Sequence, residues 1–385
     1  MVFGPGVATL RTDESFRRKD QEAYHKGTSP LEKLGTKMIS QIPLDTMHLC
    51  YLGVMKRMMI RLFQKKQSTY TLRKEEIVES QELSSKILMY LPSEFKTKRG
   101  HKHLKFYKAK EYRRIALYDG YLLFKKLPHP ELFRNFLLFA CALRILSNPA
   151  MIPAFVDDAE ILLKNFVKDS QKVYGPSFIV YNVHHLEHLS EDSRRHEITL
   201  EEMSCFDYEN YLGKIKALLY APGRTLPQIV CRLMERVAVM PDEEPSPKPP
   251  AVFEQPHFSG PNLSCRGEQF KKLETPDYAF QLNVKGAYCL TKAGDVVWIQ
   301  NIVKTTNGKG LIIGQKFKYK SNYFLHPLPS SALDIFEVRE LEPLEKWHVE
   351  DIKTKVVLLP VEPNAVVNWN TDVGLCLPML HNSGS

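Results

Sequence analysis

Apolar residues return every three to four positions through most of the first 240 residues of this chain, and gather into short β-rich runs beyond them. From Asp45 the stripe Met47, Leu52, Met55, Met59 and Leu62 predicts a helix, with Lys56, Arg57 and Arg61 facing away from its apolar side. Asp45 itself suits the cap that satisfies the free amides of a first turn. A second helix is predicted over residues 73–91, ended by Pro92. Further helices are predicted over 110–127, 130–147, 155–173, 178–191, 204–220 and 225–239. Residues 131–146 are apolar almost all round, the pattern of a buried central helix. Residues 1–42 hold only turn-rich segments and read as an irregular lead-in.

Residues 241–256 contain six prolines and read as an extended, semi-rigid linker. After them, runs at 287–290, 296–303, 311–314, 335–338 and 356–359 are rich in β-branched and aromatic residues, separated by turn formers such as Asn307-Gly308. The predicted organisation is therefore α+β in two domains. A mainly α region spans 43–240, the linker 241–256, and a small β-barrel or sandwich 257–385.

At 385 residues the chain has room for two domains and a large core, and its 43% apolar and 25% charged composition is that of a globular protein. No run approaches 18 uncharged apolar residues, which excludes a helical membrane span. The seven cysteines are scattered, odd in number and never spaced Cys-x-x-Cys, as suits a reducing compartment and thiols without a zinc ribbon. The net charge of +9 is unevenly placed. Residues 1–240 carry 38 Lys/Arg against 27 Asp/Glu, whereas residues 241–385 carry 15 against 17. Residues 51–114 alone hold 17 basic and 6 acidic side chains, an excess that points to a polyanionic partner or to a solvated helix face.

Within that basic region, residues 95–114 contain nine Lys/Arg and one acid, with Phe95, Phe106, Tyr107 and Tyr112 among them. Basic side chains neutralise phosphates, and interleaved aromatic rings stack on unpaired bases. The candidate nucleic-acid contacts are Lys98, Arg99, Lys102, Lys105, Tyr107, Lys108, Lys110, Arg113 and Arg114.

Three acidic or histidine groups are candidates for other chemistry. Asp45 and His48 stand three apart on one helix face, where they can share a metal, or Asp45 can orient the imidazole while capping the helix. His184 and His188 have the i, i+4 spacing of a helical two-histidine metal site, but the order His-His-Leu-Glu-His lacks the general base of His-Glu-x-x-His. Glu209 sits in an aromatic helix, with Phe206, Tyr211, Leu212 and Ile215 expected to fix that helix in a core. Metal-dependent phosphoryl transfer needs several such carboxylates together, and Glu209 alone is not a site.

Read in order, several segments resemble successive blocks of animal CACTA/EnSpm-type cut-and-paste DNA transposases. They are Leu10-Arg-Thr-Asp-Glu-Ser-Phe16, His25-Lys-Gly-Thr-Ser-Pro-Leu31, Asp45-Thr-Met-His-Leu49, Tyr181-Asn-Val-His-His-Leu-Glu-His-Leu189, Phe206-Asp-Tyr-Glu-Asn-Tyr-Leu-Gly-Lys-Ile-Lys216 and Pro222-Gly-Arg-Thr-Leu-Pro-Gln-Ile-Val230. The resemblance covers about residues 10–239. It implies an RNase H-like catalytic fold with a helical insertion, three acidic residues, Mg²⁺, DNA as partner and a nuclear location. It makes Glu209 the third acid, and Asp45 with His48 the Asp-x-x-His pair of the insertion. It gives Tyr107 the place of a tryptophan thought to stack on a distorted base at the cut site. The two earlier acids and their strands are expected upstream of Leu10, so the RNase H-like sheet is expected to be incomplete here.

The expectation is thus a transposase-derived DNA-binding protein, catalytically inactive alone. The alternatives are an interaction or oligomerisation module that recruits a second copy or a transposase-like partner, and a residual metal-dependent nuclease using Asp45, Glu209 and His184 or His188.

Overall fold

The computed structural model describes residues 10–22, 25–65, 69–95, 99–239, 251–363 and 367–380. Two short helices, α1 (Asp13–Arg18) and α2 (Pro30–Lys33), interrupt the lead-in that was expected to be irregular. Both are set by local capping: the Ser15 amide is held by the Thr12 hydroxyl at 3.1 Å, and the Ser29 amide by the Glu32 carboxylate at 2.6 Å.

The helix that follows Asp45 is continuous through Met47–Met55, α3 (Lys56–Ile60) and Arg61–Lys65, and its first and last stretches wind as π-helix. It buries Leu49, Cys50, Tyr51, Val54, Met55, Met58, Met59 and Leu62. The expectation that Arg57 and Arg61 face away from the core is corrected. Arg57 donates to the carbonyls of Phe178 at 3.1 Å and Ser177 at 2.6 Å, and the buried Arg61 donates to the Tyr174 carbonyl at 2.8 Å. These acceptors lie at and just beyond the end of α8 (Ile152–Tyr174), where helical carbonyls lose their own donors and the dipole favours cations.

The remaining helices follow the sequence pattern. They are α4 (Lys74–Ile87), α5 (Ala109–Arg114), α6 (Gly120–Lys125), α7 (Pro130–Leu146), α8, α9 (Tyr181–His185), α10 (Leu189–His196), α11 (Phe206–Lys216) and α12 (Thr225–Val239). As its composition predicts, α7 is a buried central helix, packed along α8. Phe136 of α7 stacks on Phe124 with ring centroids 4.3 Å apart, and Phe139 meets Phe166 of α8 at 5.1 Å. Arg194 of α10 ties α8 by pairing with Asp157 at 2.6 Å and Glu160 at 3.0 Å.

The strands are β1 (Val252–His257), β2 (Gly267–Glu274), β3 (Ala279–Gln281), β4 (Tyr288–Thr291), β5 (Val296–Thr305), β6 (Gly310–Asn322), β7 (Phe336–Leu341), β8 (Glu345–His348), β9 (Ile352–Pro360) and β10 (Gly374–Pro378). All pair antiparallel. The β5–β6 turn forms at Asn307-Gly308, as the sequence predicts, with Gly308 at φ 82° where a side chain would be strained. The result is an α+β layout, a helical region followed by an antiparallel sheet region.

The chain forms two compact units, and they do not divide at the proline-rich stretch. The first takes the chain up to Met203 and adds Phe317–Glu342 and Val356–Leu380; the second takes Ser204–Lys316 and Pro343–Lys355. In the first unit, the β7–β10, β9–β10 and β6–β7 pairings join the helices. Buried Arg144 of α7 donates to the carbonyls of Leu117 and Pro378, both at 2.8 Å, and Lys125 of α6 donates to the Tyr323 carbonyl at 3.1 Å. In the second unit, Phe270, Leu273, Phe280, Cys289, Val297, Ile299, Ile302 and Ile312 form the core between strands. The predicted linker shortens to residues before Val252, since β1 begins there and pairs Val252 with Glu274; residues 240–250 lie outside the described residues.

Candidate functional site

The predicted site residues fall into four places. Asp45 does both things its position suggests: its carboxylate accepts the Met47 amide at 3.0 Å and hydrogen-bonds the Nδ1 of His48. The orphan first-turn amide is satisfied, and the ring of the half-exposed His48 is held in one orientation. Beside the pair, the Asn182 side chain of α9 donates to the His48 carbonyl at 3.4 Å. Gly53 permits this approach, because a Cβ there would collide with the Asn182 amide.

Three imidazoles gather at the end of α9. After His185 the backbone tightens into a 3₁₀ turn, Leu186–His188, whose three-residue period sets His188 on the side of His185. Ring centroids are 5.5 Å apart for His184–His185, 5.5 Å for His184–His188 and 5.7 Å for His185–His188, with steep interplanar angles of 89°, 86° and 73°. The Nδ1–H of His185 donates to the Tyr181 carbonyl at 2.9 Å, and its ring lies against that of Tyr181. His184 Nδ1 stands 3.6 Å from the Glu187 carboxylate. Burial pushes the His185 imidazole down to about 4, helped by the neighbouring imidazoles of His188 and His184, and His188 is lowered for the same first reason. Both rings are thus neutral near pH 7. Among the described residues, no group of three His, Cys, Asp or Glu side chains is placed to hold a metal ion.

Glu209 lies on α11, in the second unit, while Asp45, His48, His184 and His188 lie in the first. Its helix is not fixed in a core as its aromatic residues suggest: Phe206 is buried, but Tyr208, Tyr211 and Leu212 are 72%, 56% and 58% exposed. Glu209 is exposed with them.

The basic stretch divides sharply into surface and core. Lys98 lies outside the described residues. Tyr107, expected to stack on a base, is buried; its hydroxyl donates to the Arg99 carbonyl at 2.6 Å and its ring packs edge-on to Tyr112. Arg113 is buried and pairs with Glu201 at 2.6 Å, and Arg114 is buried and pairs with Asp119 at 3.1 Å. Burial pushes the Asp119 carboxyl up, opposed by Arg114. Arg99 is half-buried, donating to the Phe106 carbonyl at 2.8 Å. These four side chains are therefore structural. Every residue from Glu111 to Phe124 is buried, so Arg113 and Arg114 enter the core with their helical neighbours.

What stays at the surface is one side of a short 3₁₀ turn, His101–Phe106, whose His101 and Leu104 are buried, with Lys108 just after it. Lys102, Lys105 and Lys108 are exposed there, and Lys110 is half-buried. Between them stands Phe106, 56% exposed, with the Lys105 ammonium 4.8 Å from its ring centroid. Sequence reasoning missed Phe106 as the exposed ring. The local pattern does not separate it from Tyr107, since adjacent rings can both be buried, as Tyr323 and Phe324 are.

Comparison with known proteins adds one match. The model of a protein family described as a domain of unknown function (DUF8592) matches residues 256–378, the strand-rich part of the chain. No curated protein and no solved structure matches the chain.

Proposed function

We propose that this protein is a transposase-derived nucleic-acid-binding protein that holds single-stranded or distorted DNA on the Lys102–Lys105–Phe106–Lys108 surface. The exposed phenylalanine beside Lys105, with exposed Lys102 and Lys108 near it in sequence, carries this reading: the cations neutralise phosphates and the ring offers a face to an unpaired base. The ordered resemblance to CACTA-type transposases supports DNA as the polyanion, with the nucleus as its place of action. In this reading the helices around Asp45 and His184 derive from the helical insertion of the RNase H-like fold, and α11 from its last helix.

Cleavage is not part of the proposed function. Of the three acids the family uses, the resemblance identifies one in these residues, and a lone exposed carboxylate does not clamp the attacking and leaving oxygens between two ions. Fluorescence anisotropy with a labelled oligonucleotide tests the surface. Phe106→Ala is expected to weaken single-strand binding by about 1 to 3 kcal/mol. Lys102→Glu, Lys105→Glu and Lys108→Glu together are expected to remove it. Undiminished binding by the triple variant would reject this surface.

A further inference from the structure

We propose that α11 pairs with α11 of a second copy of this chain, antiparallel and related by a two-fold axis. The helix is turned inside out relative to its sequence pattern. At 100° per residue, Tyr208, Tyr211, Leu212 and Ile215 fall on one side and the buried Phe206 on the other. On the larger apolar side, Tyr208, Tyr211 and Leu212 face solvent and Ile215 is half-buried. An uncovered face of this kind marks an interaction site.

The charges along its edges identify the partner. Asp207 and Lys214 flank the apolar stripe on one edge, and Glu209 and Lys216 flank it on the other. On both edges the acid is near the helix start and the base near its end. None of the four forms an ion pair among the described residues. A two-fold axis perpendicular to a pair of antiparallel helices brings each edge against itself in reverse. Asp207 of one copy then meets Lys214 of the other, and Glu209 meets Lys216, each pairing occurring twice. A parallel arrangement would oppose like charges at every step. The stripe is thus self-complementary in shape and in charge, as an isologous interface requires.

The helix is presented on a braced support. The Gln228 side chain of α12 holds the turn that follows α11, accepting the amides of Tyr220 at 3.0 Å and Ala221 at 3.3 Å and donating to the carbonyls of Ala221 at 3.1 Å and Gly223 at 2.7 Å. The Arg232 guanidinium lies 4.6 Å from the Tyr220 ring centroid. A stripe fixed in place loses less entropy on pairing. Leu226, Leu233 and Val237 of α12 are exposed as well.

The experiment is light scattering on the full chain, eluted without nucleic acid at about 100 µM, above a micromolar Kd. The expected mass is twice the 44.4 kDa of one chain. The variants Asp207→Lys/Glu209→Lys and Lys214→Glu/Lys216→Glu are each expected to elute as monomers and, when mixed, to restore the dimer. That restoration also shows that both variants fold. A wild-type monomer at this concentration, or a dimer that survives either double reversal, would overturn the proposal.

Discussion

Tyr107 and Phe106 are neighbours with opposite fates, and the difference decides which ring can touch a base. Tyr107 is drawn into the core, where its hydroxyl finds the Arg99 carbonyl, and Phe106 is left outside under Lys105. The sequence shows how many rings and cations the stretch holds but not which of them the core claims, because burial depends on residues far along the chain such as Glu201. Arg113 therefore tests stability and not binding: Arg113→Glu sets two carboxylates together in a mostly buried place and is expected to cost about 3 kcal/mol or more in urea unfolding. His101 gives a pH signature. It is almost fully buried, with Nε2 3.1 Å from the Ser80 hydroxyl, and burial, with Arg114 nearby, lowers its imidazole from 6.5 to about 4. The folded state then binds fewer protons than the unfolded state between these values, so stability is full above pH 6.5 and falls as pH drops toward 4. Between pH 7.5 and pH 5 the loss from this group is expected to be about 2 kcal/mol, and His101→Leu is expected to flatten the slope by that amount.

Among the elements, helix positions were the most legible feature, since the 3.6-residue apolar period is local. The observed α7, Pro130–Leu146, and α12, Thr225–Val239, lie where the pattern places them. Facing was less legible. Between Met47 and Lys65 the helix winds partly as π-helix, with more residues per turn, so a wheel drawn at 3.6 turns Arg57 and Arg61 outward when they reach carbonyls at the end of α8. Arg61→Met keeps much of the apolar stem but leaves the Tyr174 carbonyl without that donor, and is expected to destabilise the fold by about 2 kcal/mol in denaturant titration. For α11 the pattern correctly gave a helix within residues 204–220 and wrongly placed its apolar residues in a core. An apolar stripe predicts that something covers it, and not whether the cover comes from the same chain.

Across the whole molecule, the change from helical to strand patterning near residue 250 is real, yet it does not mark the division between compact units. β6 and β9 each contribute residues to both units, and the carbonyl of Pro378 is held by Arg144 from the middle of the helical region. Such long-range pairings leave no local trace in composition. The DUF8592 match, over residues 256–378, likewise includes strand residues of both units. The strand-rich part alone is therefore expected to express poorly: a fragment beginning at residue 251 exposes the strands that the helical residues cover, which limited proteolysis of that fragment reads directly.

The central claim is that the surface around Phe106 binds nucleic acid, and its most direct test is the affinity of the purified chain for single-stranded, hairpin and duplex DNA across a salt series. Three phosphate-neutralising lysines predict a slope of log K against log salt of about −2 for single strands, with unpaired or distorted DNA bound more tightly than duplex and the preference lost in Phe106→Ala. Equal affinity for all three probes with Phe106→Ala unchanged, or no binding at low salt, would contradict it.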